Sequence, residues 1–103
     1  MKPVRFHHEA RAELARGASH YAEVSNALSK RFIDAVEEAL LLASKFPKMG
    51  APYAHGTRRY FPKNFPYSIV YIERDDEIIV IALAPFARKP GYWRSRRNDG
   101  QGS

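Results

Sequence analysis

Residues 78–84 read Ile-Ile-Val-Ile-Ala-Leu-Ala, the most apolar run in the sequence. No such run approaches the roughly 18–20 residues of a membrane span. This one is short and rich in β-branched residues, so it reads as a core strand. The next segment is opposite in character. Residues 86–97, Phe-Ala-Arg-Lys-Pro-Gly-Tyr-Trp-Arg-Ser-Arg-Arg, carry five positive charges, no acid and three aromatic rings, including the only Trp. A core strand therefore delivers a basic, aromatic segment to the surface. Guanidinium and ammonium groups meet phosphates or carboxylates, and flat rings offer stacking surfaces. Two readings stand open. The segment is a site for a polyanion or an acidic protein, or it is a solvated end whose Tyr92 and Trp93 fold back to cap the core.

The strand before this one is residues 67–72, Tyr-Ser-Ile-Val-Tyr-Ile, joined to it across the acidic turn Arg74-Asp75-Asp76. Residues 57–61 suit a third strand, and residues 62–66 link it to the second. At the start of the chain, residues 2–6 alternate and suit a short strand, with Pro3 tolerable only near its beginning or at an edge. Between the first strand and the rest lie two helical patterns. Ala10, Leu14, Ala18, Tyr21 and Ala22 fall on one helix face, with Glu9, Arg11, Glu13 and Arg16 off it. Gly17, costly in mid-helix, marks close packing. Ser25-Asn26 gives a break and an N-cap. The second helix, about residues 27–45, buries Leu28, Phe32, Ala35, Val36, Ala39, Leu40 and Ala43, and Lys30 and Asp34 pair on its outer side. Phe46-Pro47 ends it, because the residue before proline avoids the α region. Residues 48–56 read as a loop.

The expected order is β-α-α-β-β-β: a helical hairpin packed on a small, mostly antiparallel sheet, α+β in class. The 103 residues make one domain over 1–97, with 98–103 as a disordered C-terminal tail. There is no cysteine, so no disulfide or thiolate metal site. Met1-Lys2-Pro3-Val4-Arg5 opens no signal peptide, and a cytoplasmic protein is expected. The formal charge of +6 is uneven: residues 1–54 hold eight basic and six acidic side chains, residues 55–103 nine and five. The second half thus carries the anion-facing surface.

The order of elements and several local motifs resemble the RelE/ParE toxins of bacterial type II toxin–antitoxin modules. The matching pieces are Phe6-His7-His8-Glu9-Ala10 opening the first helix, Leu14 and Tyr21 within it, Arg31-Phe32 and Phe46-Pro47 in the second, and Arg58-Arg59 opening the sheet. Phe65-Pro66-Tyr67-Ser68-Ile69-Val70-Tyr71 and Arg88-Lys89-Pro90-Gly91-Tyr92-Trp93 complete the set, which spans roughly residues 3–97. The resemblance implies a cytoplasmic growth inhibitor in a hetero-oligomer with a cognate acidic antitoxin, needing no cofactor or metal. One branch of the family, RelE-like, cuts mRNA on the ribosome. The other, ParE-like, poisons DNA gyrase and is not an enzyme. A relative that only binds its antitoxin is a third reading, and fold alone does not separate them.

Metal-free RNA cleavage needs a base for the 2′-hydroxyl, an acid for the leaving oxygen and cations for the phosphate. Arg59, Arg88, Lys89 and Tyr92 are the set expected if the chain cuts RNA; His55 and Tyr67 are further candidate proton handlers. If it binds a target, the expected surface is Arg59, Lys63, Arg88, Lys89, Tyr92 and Arg94. Some relatives place a His just after the last core strand, where this chain has Pro85-Phe86. The acid–base set is thus incomplete, which favours the ParE-like reading. Tyr67, Tyr71 and Trp93 are expected to pack, and His55 to be solvated. His7 and His8 are adjacent at a strand–helix junction and form no expected metal site.

Overall fold

His7 begins the helical part of the chain by capping it. Its Nδ1 accepts the Glu9 backbone N–H at 3.1 Å, and helix α1 runs over His8–Ala22. Ser25 caps helix α2, Asn26–Lys45, in the same way through Leu28 N–H. The two helices form the expected antiparallel hairpin, pinned where Ser29 Oγ donates to the Ala18 carbonyl at 2.8 Å. Gly17 lets them approach: a Cβ there would sit 2.8 Å from the Phe32 ring. These contacts are seen in a computed structural model of the chain, which describes residues 1–98.

Five strands form one sheet in the order β1-β5-β4-β3-β2: β1 Val4–Phe6, β2 Ala51–Tyr53, β3 Thr57–Tyr60, β4 Tyr67–Glu73 and β5 Ile78–Pro85. β1 runs parallel to β5; the other pairs are antiparallel. Strand β2 is the addition to the expected pattern. It is three residues long and contains Pro52, so nothing in its composition marks it as a strand. Pairing with β3 makes it one, and a short turn, Ala54–Gly56, joins the two. The expected tail at 98–103 lies outside the described residues except for Asn98, which continues a helical turn begun at Arg96.

The helices cover one face of the sheet. Phe32, Val36 and Leu40 pack there on Tyr67, Ile69, Tyr71, Val80 and Leu83. The opposite face carries Val70, Ile72, Ile79, Ile81, Ala82 and Ala84, and the C-terminal segment folds back over it with Trp93 wholly buried. Coverage on both sides explains why β4 and β5 are apolar without alternation. Tyr67 and Tyr71 pack as expected. The Tyr71 hydroxyl also donates to the Pro47 carbonyl and accepts Gly50 N–H, which anchors the chain leaving α2. A bulge opposite Val70/Tyr71 places Ile81 and Ala82 on the same face.

Two residues of α1 are turned differently from the periodicity reading. Ala22, expected inside, is exposed; Glu13, expected outside, is 5% exposed. The reason lies at the edge of β5. β1 pairs only with Ile78, Ile79 and Val80, so the second half of β5 has an open edge. Glu13 reaches it and accepts Leu83 N–H at 3.0 Å, while Arg96 donates to the Ile81 carbonyl at 3.3 Å. The two side chains bond each other there, at 2.9 and 3.2 Å. A buried ion pair completes the ladder that β1 is too short to complete.

Among the described residues no helix is long and apolar enough to cross a membrane.

Candidate functional site

Five elements converge below the C-terminal end of β5, on the face away from the helices. β2 contributes Tyr53, β3 contributes Arg59 with Phe61 just beyond it, β4 contributes Ser68, β5 ends at Pro85, and the returning segment adds Phe86, Arg88, Tyr92 and Trp93. Together they line a cleft of about 290 Å³. Trp93 forms its floor, packed 5.8 Å from Tyr53. Phe61 and Phe86 meet edge to face at 5.5 Å and stay about half exposed, at 47% and 58%.

The cleft's two cations are both set on rings. Arg59 lies 4.2 Å from the Tyr53 centroid and 5.0 Å from Phe61. Arg88 lies 3.7 Å from the Tyr92 centroid. Such stacking holds a guanidinium plane without using its N–H groups. The turn that presents Arg88 is closed by its own N–H bonding the Pro85 carbonyl at 3.1 Å.

Tyr92 is held from below. Its hydroxyl donates to Glu13 Oε2 at 2.6 Å, in the same network as Arg96. Burial, and then the bond to the Glu13 carboxylate, push its ionisation far above that of an ordinary tyrosine. Tyr92 is therefore a fixed, neutral platform for Arg88, and its proton is already committed. Of the two roles expected for Tyr92, the hydroxyl that a proton handler would use is bonded to Glu13, while the ring that a target contact would use lines the cleft. The edge-strand geometry responsible was not visible before the fold was known.

The remaining expected residues divide. Lys89 and Arg94 are exposed on the returning segment, beside the cleft but outside its lining. Lys63 is brought elsewhere: it lines a separate concavity with Arg31, Asp34 and Glu38 of α2. Arg58 turns back to donate to the Gly50 carbonyl at 2.7 Å. His55 is exposed, as expected, at a positive φ of 59°, with its ring edge-on to Trp93 at 5.8 Å. Tyr67 is buried on the helix side of the sheet, and burial raises its ionisation too. His7, His8 and Glu9 bring possible ligand atoms within 4.8 Å of one another. The His7 Nδ1 is spent on the helix cap, and the positive end of α1 lies at the cluster, a poor setting for a cation.

Tyr53 and Phe61 are the contributors that sequence reasoning missed. The available signal was an aromatic on each side of Arg58-Arg59; what was lacking was β2, which swings Tyr53 under Arg59.

A sequence profile for the ParE toxin of the type II toxin–antitoxin system, parDE, matches residues 4–90. No curated protein sequence matches the chain. Among solved structures it is similar to one described as a chromosomal ParDE TA system from P. aeruginosa. The TM-score is 0.73 at 18% identity, over 82% of this chain and 96% of that one. At that identity the likeness is one of fold. The profile match covers both helices, the whole sheet and the Arg59–Arg88 pair, and the chain belongs to the ParE toxin family of type II toxin–antitoxin systems.

Proposed function

We propose that this protein is the toxin of a type II module, restrained by an acidic antitoxin, and that it stops growth by binding DNA gyrase rather than by cutting mRNA. The observation that carries the choice is the Tyr92–Glu13 hydrogen bond. Cleavage of RNA without a metal requires a group that gives or takes a proton at the phosphate. The cleft has cations for that phosphate, but of its two tyrosines Tyr92, under Arg88, is committed to Glu13 and hard to ionise, and Tyr53 is held with its ring face under Arg59. Tyr67 lies on the other side of the sheet, and His55 is outside the lining. Losing one general acid or base typically costs about 10²–10⁴-fold in rate. A binding surface has no such requirement.

The antitoxin reading draws on a second surface. A groove of about 600 Å³ runs between α1, α2 and β1, with Leu14, Ile33, Leu40 and Leu41 as apolar lining and Lys2 and Arg11 at its sides. An amphipathic acidic segment that folds on binding suits that chemistry. Charge on a +6 protein would steer the encounter, so the association rate should fall as salt rises. Both partner and target would place the protein in the cytoplasm.

The test is induction in cells followed by two readouts, DNA-damage signalling and mRNA integrity. DNA-damage signalling with intact mRNA, and inhibition of supercoiling by the purified protein, is the expected result. Ribosome-dependent mRNA cuts without damage signalling would overturn it.

A further inference from the structure

The arginines of the cleft are prepared for a particular kind of anion. Among the described residues neither Arg59 nor Arg88 has a carboxylate or carbonyl partner, whereas Lys2, Arg5, Lys30, Lys48 and Arg96 are all paired with acids. Their planes are held by rings and their N–H edges are unspent. A guanidinium edge of this kind makes two parallel bonds to a carboxylate or phosphate. The segment 86–97 that frames them contains no acid to compete.

The rings decide between those two anions. A nucleic acid bound without metal gains from base stacking on free aromatic faces. Here Tyr53, Phe61 and Tyr92 each already carry an arginine and Trp93 is 0% exposed, which leaves Phe86, set edge to face against Phe61, as the one exposed lining ring without an arginine, too little for a run of stacked bases. The lining has no Asn or Gln to read a base edge. A protein carboxylate needs neither feature. The exposed Phe61–Phe86 pair at the rim offers an apolar neighbour what it needs, a half-buried aromatic next to an Arg anchor.

We propose that the cleft binds an acidic segment of a partner protein, whose carboxylates take the free edges of Arg59 and Arg88 while an adjacent apolar side chain packs on Phe61 and Phe86. This rests on the reading of the chain as a target-binding toxin, and it names what the target must present. Lys89 and Arg94, exposed beside the cleft, add attraction at longer range.

Trp93, the only tryptophan and the cleft floor, reports occupancy. The purified full chain is titrated with a short capped peptide alternating glutamate and leucine, and Trp93 fluorescence is followed. The expected result is a saturable change. Arg59→Gln and Arg88→Gln should each weaken binding about tenfold or more, the scale of a charge-assisted hydrogen bond. Lys45→Gln, which removes an exposed cation on α2, should change it less than about twofold. Arg88→Lys keeps the charge but loses the fork, and should weaken binding as well. Thermal midpoints of all variants show whether they are folded. Equal binding of the glutamine analogue of the peptide would overturn the proposal. So would absence of saturable binding, or preferential binding of an oligouridylate lost in the same two arginine variants, which would assign the cleft to RNA. Gyrase inhibition is measured on the same preparation. Inhibition without peptide binding removes the cleft assignment and leaves the target reading; peptide binding without inhibition does the reverse.

Discussion

Glu13 and Arg96, 83 residues apart, form a buried ion pair that stands in for a missing stretch of β-strand. Glu13 comes from α1, Arg96 from the end of the chain, and between them they satisfy a backbone N–H and a carbonyl on the open edge of β5. The pair also fixes Tyr92, and through Tyr92 the position of Arg88 in the cleft. Helix, sheet edge and candidate site are thus tied at one carboxylate.

The two members of that pair should not be equally costly to remove. Glu13→Leu leaves Arg96 buried with only the Ile81 carbonyl and the more distant, exposed Glu9. Loss of one partner of a buried pair costs about 3–5 kcal/mol. Arg96→Leu leaves Glu13 with two donors, Leu83 N–H and the Tyr92 hydroxyl. It should therefore destabilise less. Urea denaturation of the single and double variants checks the ranking, and the double should cost less than the sum of the singles. An Arg96→Leu variant weaker than Glu13→Leu would mean that the pair is not held as described.

The same pair shows where sequence reasoning stops. Helix α2 was legible because Phe32, Val36, Ala39, Leu40 and Ala43 repeat at helical spacing and Phe46-Pro47 ends the run. Strands β4 and β5 were legible from apolar content, and the capping role of Trp93 from its place after them. Glu13 was not. A carboxylate on a helix reads as solvent-facing unless its partner is known, and that partner is far along the chain. Strand β2 was hidden because Ala-Pro-Tyr forms a strand only by pairing. In the site, Arg59 and Arg88 were legible as charges. Their convergence was not, nor was the departure of Lys63 to another surface, because strand order decides both.

Gly17→Ala should destabilise the protein even though alanine favours a helix by roughly 1 kcal/mol. The added methyl would lie 2.8 Å from Phe32 Cε2 and Cζ. That ring is wholly buried among Tyr21, Phe65 and Tyr67, so it has nowhere to move. Overpacking of this sort costs about 1–3 kcal/mol. Thermal unfolding should show a lower midpoint, and Phe32→Leu in the same chain should recover part of the loss. A raised midpoint for Gly17→Ala alone would show that the helices separate freely.

Acid should loosen the β1 end of the sheet first. Hydrogen bonding from Lys2, then from Lys48, holds Glu73 below the ordinary carboxylate value of 4.5; hydrogen bonding from Arg5 does the same for Glu77. A carboxylate with a depressed folded-state pKa stabilises above its unfolded value and loses that contribution as pH falls through the folded one. Stability should therefore fall as pH drops below about 4.5, and Glu73→Gln with Glu77→Gln should flatten that part of the profile. An unchanged acid limb in the double variant would count against these contacts.

Tyr92→Phe separates the gyrase-binding reading from the RNA-cleaving one while testing the network beneath the cleft. The substitution keeps the ring under Arg88 and removes the hydroxyl bonded to Glu13. One lost hydrogen bond to a charged group should cost about 1.5–3 kcal/mol. The effect should depend on pH in a defined direction. Burial and Glu13 raise the Tyr92 pKa, so the wild-type contribution is complete below the ordinary tyrosine value of 10.0 and declines as pH rises through the folded value. The variant should lose stability at neutral pH and show a shallower alkaline decline. Growth inhibition should survive, because a binding surface uses the ring and the arginine it supports. Arg88→Ala combined with Lys89→Ala, by contrast, should abolish inhibition with little change in the unfolding midpoint, since both side chains are exposed. A folded Tyr92→Phe protein that no longer inhibits growth, together with wild-type RNA cleavage that the variant lacks, would assign the cleft to phosphoryl chemistry and displace the gyrase reading.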